Sequence, residues 1–130
     1  MADISKELSA ASELLENSQL MAVSVDPGLR HINLEFMVFG GHPDIVIRCS
    51  GIIMSNLSKP PDEDEAFYIG EARFSRISDG GLQVLTSMNY KFKKPEGGTA
   101  TFPGHSLYHA HFEGAIVLDI VCEDIIRVPS

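Results

Sequence analysis

The sequence predicts an α+β domain: one N-terminal helix packed on an antiparallel sheet of about six strands in meander order, curled towards a barrel. Three observations predict it. Apolar residues recur at steps of three and four near the N-terminus, the spacing of a helix face. From residue 31 onward the period drops to two, which marks half-buried strands. Between these runs stand Gly- and Pro-rich clusters, the punctuation of short connections.

The helix is expected over about 3–20. Ile4, Leu8, Ala11 and Leu15 make one narrow stripe, widened by Leu14, and Asp3 or Ser5 offers the cap. "LMAVSV" reads as a short strand or an extended linker. "DPG" at 26–28 is a turn in which Gly28 supplies a positive φ. The sheet is expected over about 30–128. "HINLEFMVF" alternates, with Ile32, Leu34, Phe36 and Val38 on one face. "GGHPD" breaks the pattern and "IVIRCSGIIM" resumes it, with a bulge at Gly51. "SKPPDEDE" cannot pair, because two prolines remove donors and its carboxylates repel.

"AFYIGEARFSRI" is a further strand, interrupted by Gly70. "SDGG" then reads as a hairpin turn. It leads into "LQVLTSMNYKFK", in which only Leu85 falls out of alternation, so a strand is expected there too. A long Gly/Pro/Thr loop at 94–106 follows. In the last segment the even positions from Tyr108 to Cys122 are mostly apolar, and His109, His111, Glu113, Asp119 and Glu123 are odd. That fits one long bent strand or a hairpin turning at "EG". Gly51, Gly70 and Gly114 stand where strands can bend. The expected core is Leu8, Leu15, Leu34, Phe36, Ile45, Ile47, Phe74, Val84, Met88, Tyr90, Phe112, Ile116, Leu118 and Ile120.

A chain of 130 residues suits a single domain spanning 1–130. It has no apolar run of transmembrane length and no secretory signal at its start, so a cytoplasmic protein is expected. Cys49 and Cys122 both lie in strand-like segments and are expected as buried thiols rather than a disulfide. Eighteen carboxylates against ten Lys and Arg give a net charge of −8. That repels phosphate backbones and argues against nucleic acid, while favouring a basic protein partner. The acidic run Asp62, Glu63, Asp64 and Glu65 is the candidate partner-binding segment.

The stretch "SLYHAHFEGAIVLDIVCEDI" contains the main chemical candidate. His109 and His111 project from one strand face, and Glu113 shares their parity, so the three are the candidate metal ligands. His105, His31, His42 and Glu35 are the further residues considered for completing such a set. The pattern is not that of cupin-type metal enzymes, in which the carboxylate comes several residues later and another histidine follows on a later strand. The apolar residues occupy the opposite face, so both histidines are expected in solvent and no metal or other cofactor is expected. Glu71 and Arg73 read as a surface ion pair. Asp119 and Glu123 share a parity, with no sign of the burial that acid–base work requires. No catalytic residue is assigned.

"DIVIRCSGI", "FYIGEARFSRI" and "LYHAHFEGAIVLDIVCEDI" together resemble small, acidic, β-rich bacterial proteins, some of them immunity-like. The resemblance spans roughly residues 30–128. It implies a non-catalytic binder that neutralises a toxin, a basic nuclease being the natural match for an acidic partner. The expected function is therefore a protein-binding module. The alternatives are a metal-dependent or cleft enzyme centred on His109 and His111, and a small-molecule carrier within a curled sheet. A homodimer through an edge strand is compatible with all three.

Overall fold

The computed structural model describes residues 5–28, 30–59, 67–88, 102 and 106–129. It contains α1 (Lys6–Leu15), β1 (Ser18–Val25), β2 (His31–Met37), β3 (Ile45–Ser58), β4 (Phe67–Ile77), α2 (Leu82–Ser87), β5 (Leu107–Gly114) and β6 (Val117–Arg127). Among the described residues, no helix is long and apolar enough to cross a membrane.

Ser5 caps α1, its hydroxyl accepting from the Leu8 amide at 3.2 Å. The stripe Leu8, Ala11 and Leu15 is buried and joins the apolar cluster of the sheet interior. The helix stops short of the predicted residue 20. Asn17 takes a positive φ of 67°, and its amide bonds to the Ile69 carbonyl at 2.7 Å. Ser18 onward is thereby committed to pairing with β4 and β2.

All six strands pair antiparallel and close into a ring, in the order β1-β2-β3-β6-β5-β4. This corrects the single meander. Two three-stranded meanders, β1 to β3 and β4 to β6, are joined by a long β3–β6 ladder and a short β1–β4 seam. Closure has a physical cause. Each strand has an apolar inner face, and a ring lets those faces bury one another while removing open edges. Inside lie Leu34, Phe36, Ile47, Phe112 and Ile120, all without exposed surface. The predicted core is buried here through Ile45, Ile116 and Leu118 as well, and Phe74 packs against it half-buried.

The expected bends fall where ladders lose register. Gly51 has φ +65° and sits beside a shift in the β3–β6 ladder, and Gly70 marks the shift in β4–β5. The C-terminal segment is a hairpin, with the Gly114 amide bonded to the Ile116 carbonyl at 2.9 Å.

Two local expectations are overturned. "SDGG" does not turn a hairpin, and "LQVLTS" is a helix rather than a strand. The Asp79 carboxylate accepts from the Gly81 amide at 3.0 Å and the Gln83 amide at 3.1 Å. It thus satisfies amides that a nascent helix leaves open. Gly80 and Gly81 take the positive φ values that this entry needs. Leu85, the residue that broke the alternation, is the buried anchor. It forms a second apolar layer with Leu107 and Val121 on the outer face of the sheet, against which Val84, Met88 and Phe102 also pack. Tyr90 and the rest of that predicted strand, 89–93, lie outside the described residues.

The 26–30 turn is also built differently from expectation. Gly28 is not among the positive-φ glycines. The Asp26 carboxylate organises the turn instead, accepting from the amides of Gly28 (3.2 Å), Arg30 (2.6 Å) and His31 (2.8 Å). These bonds, the one from His31 foremost, hold its pKa down at about 2. An unfolded aspartate titrates near about 3.9. The stabilisation from this turn is therefore complete above about pH 4 and is lost as pH falls towards 2. Carboxyl NMR is expected to place the Asp26 midpoint near pH 2, with Asp26→Asn flattening the loss of stability over that interval. A midpoint near 4 would refute the assignment.

Cys49 and Cys122 are buried and unbridged, as expected. The proton that the Cys122 thiol donates to Cys49, together with burial, pushes the Cys122 thiol well above the ordinary range. Both behave as packing residues.

Candidate functional site

The β5–β6 hairpin assembles the one mixed imidazole–carboxylate cluster that the described residues bring within ligand distance on partly buried side chains alone. Its construction follows from register. With the hairpin turning after Gly114, His111 stands directly opposite Asp119 and His109 opposite Val121. Side chains at positions 109, 111 and 119 then share the outer face of the ring, while Ala110, Phe112 and Ile120 fill the inside.

Asp119 is the centre of the cluster. Its Oδ1 accepts from His109 Nε2 at 2.7 Å and from His111 Nδ1 at 2.6 Å. The two rings stand edge to face, with centroids 5.9 Å apart. Hydrogen bonds to an ionised acceptor are short and strong, so one oxygen fixes both imidazoles. The second nitrogen of His111, Nε2, lies 3.7 Å from Glu113 Oε1. Glu71, paired across the β4–β5 ladder with Glu113, forms with Glu113 and His111 a second, more exposed group within ligand distance.

The histidines are not in open solvent as expected. Strand parity does put them on the outer face, but their side chains are only 22% and 14% exposed, and that of Asp119 17%. Parity assigns a face and says nothing about what covers it. Here Val121 of the second apolar layer stands opposite His109, and Gln83 and Val84 of α2 border the same groove as that histidine. The groove, of about 230 Å³, is also lined by Ser75, Arg76 and Asp79.

Glu113 joins the pair at the rim, as its parity predicts. His31 and Glu35 do not join it, because two strands, β3 and β6, stand between β2 and β5. His31 Nδ1 instead meets the Ser50 hydroxyl at 3.2 Å, and His42 is exposed in the loop after β2. His105 lies outside the described residues, as do Asp62, Glu63, Asp64 and Glu65. Glu71 and Arg73 form the expected surface ion pair, at 3.1 Å with both side chains well exposed, a geometry that contributes little stability. Asp119 does not team with Glu123, whose side chain packs against Gly51.

Asp119 is the residue that sequence reasoning missed in this role. Part of the signal was present: a hairpin centred on Ala115 sets positions 111 and 119, each four residues away, opposite each other. Reading it required choosing the hairpin over the single bent strand.

The cluster can hold a proton between two imidazoles and a carboxylate, or hold a cation. Neither capacity by itself defines a reaction. No protein-family model matches the chain, and no curated protein matches it in sequence.

Proposed function

We propose that this protein is a non-catalytic protein-binding module whose acidic surface engages a basic protein, in the manner of bacterial immunity-like proteins. The observation that carries this reading is a filled interior beneath an acidic exterior. Phe36, Phe112, Leu34, Ile47 and Ile120 occupy the inside of the ring with no exposed surface, which favours a binder over a carrier with an internal pocket. The net charge of −8 has to act from outside, and Glu35, Glu113, Glu123 and Asp124 stand exposed there.

One region of that exterior combines charge with apolar surface. β1 pairs with β4 only as far as Leu20. Beyond it Met21, Val23 and Val25 are exposed, as is Leu57 of β3. Met21, Val23 and Leu57 line one shallow groove, and Glu35 pairs across from Ala22 beside it. Exposed apolar patches beside polar groups mark interaction sites, and Glu35 at the edge of this one favours a basic partner.

The test is salt dependence. Immobilised protein is expected to retain a basic protein from host lysate at about 0.05 M salt and release it at about 0.5 M. Titration of the identified partner should then show affinity falling at least about tenfold across that range. An affinity indifferent to ionic strength, or an acidic partner, would remove the electrostatic argument.

A further inference from the structure

We propose that His109, His111 and Asp119 form a binding site for a borderline divalent transition-metal ion such as Zn²⁺ or Co²⁺, with Glu113 as the supporting carboxylate. The site goes beyond the protein-binding reading and does not depend on it.

Three features carry the proposal. First, one potential ligand atom from each of the three residues lies within 4.8 Å of the other two. The two bonded pairs are at 2.7 and 2.6 Å, whereas ligands around a tetrahedral ion sit roughly 3.3 Å apart, as metal–ligand bonds of about 2.0–2.1 Å require. Each imidazole nitrogen therefore needs to draw back from Asp119 Oδ1 by about 0.6–0.7 Å to admit an ion.

Second, the donor set is selective. Two imidazoles and one carboxylate suit zinc, cobalt or nickel, while magnesium and calcium prefer oxygen alone. Three protein ligands also leave a coordination position open, and His109 borders the groove lined by Ser75, Arg76, Asp79 and Gln83.

Third, a supporting carboxylate stands within a small side-chain shift of hydrogen-bond distance. In the metal-free state Asp119 accepts an N–H from each ring. On metal binding each neutral ring turns a lone pair to the ion and carries its proton on the other nitrogen. For His111 that nitrogen is Nε2, which lies 3.7 Å from Glu113 Oε1. A carboxylate behind a ligating imidazole is the usual arrangement around protein-bound zinc. The ion would also place positive charge between Asp119, Glu113 and Glu71, which crowd His111 with negative charge.

The experiment uses untagged full-length protein stripped with chelator and titrated with Co²⁺, then with Zn²⁺ in competition. The expected result is one ion per chain, with the visible spectrum of four- or five-coordinate cobalt. His109→Gln/His111→Gln should weaken binding by at least about 100-fold and Asp119→Asn by at least about tenfold. His31→Gln/His42→Gln should leave it unchanged, and circular dichroism verifies the fold of each variant. Failure of the wild-type protein to bind one ion at about 0.1 mM metal, or binding that survives loss of both site histidines, overturns the proposal. Salt-dependent partner capture is read separately, so the two readings fail independently.

Discussion

Phe112→Ala is expected to cost about 4 kcal/mol of folding stability, the usual range for an emptied buried phenylalanine being about 3–5 kcal/mol. The ring lies at the centre of the strand ring with no exposed surface. It stands 5.2 Å from Phe36, tilted, and 5.7 Å from Phe74, edge to face. Each such pair adds about 0.5–1.5 kcal/mol beyond burial itself. Phe36 comes from β2, across the ring from β5, and Phe74 from the adjacent β4, so no single element can move inward to fill the gap. A domain of this size has about 5–15 kcal/mol in total, so the variant should be foldable but marginal. Urea unfolding is the measurement: the midpoint should fall steeply at nearly unchanged slope. A loss under about 1.5 kcal/mol would mean that the interior is less tightly packed than the geometry indicates. Phe112→Leu, which keeps most of the volume, should lose distinctly less.

Gly114→Ala should be nearly as damaging, at about 3 kcal/mol or more, although it adds a single methyl group. A Cβ at this position would lie 2.1 Å from the Tyr68 carbonyl oxygen, 2.9 Å from the Gly70 nitrogen and 3.0 Å from the Ile69 Cα. All three are backbone atoms of β4, and the same Tyr68 carbonyl accepts from the Ala115 amide at 2.9 Å. Relief therefore requires parting β5 from β4 at the hairpin turn. Gly70→Ala is the control. Its Cβ would meet only the Glu113 carbonyl oxygen at 3.7 Å, and alanine lowers the entropy of the unfolded chain. That variant should stay within about 1 kcal/mol of the parent. Equal losses at the two positions would show that flexibility, and not the close approach of backbone, explains Gly114. Because the turn sets the register of β5 and β6, Gly114→Ala should also disturb the 2.6 Å contact between His111 and Asp119.

The candidate site illustrates the boundary between what could be read in advance and what could not. The parity of His109, His111 and Glu113 was legible, because a strand alternates faces whatever surrounds it. Their shelter was not. It comes from Asp119 and Glu113 around His111 and, for His109, from the groove it shares with Gln83 and Val84 of α2, and α2 was itself misread. "LQVLTS" satisfies a period of two about as well as a helical period. Over six residues the two patterns are hard to separate. The deciding bonds are donated by the Gly81 and Gln83 amides to the Asp79 carboxylate, and an Asp-Gly-Gly run is equally at home in a hairpin. Leu85 carried the clue, as the one large apolar residue that alternation could not place.

By itself the sequence determined which residues face inward along the regular strands, that a capped helix begins at the N-terminus, and that Gly51, Gly70 and Gly114 interrupt the ladders. These are properties of local spacing and backbone freedom. Only the tertiary structure decided that β3 pairs with β6 and β1 with β4, that a short helix shelters part of the outer face, and that Asp119 meets both histidines. Each of those depends on which strands become neighbours. Neighbour choice is made by the burial of whole apolar faces, a quantity that no short stretch of chain contains.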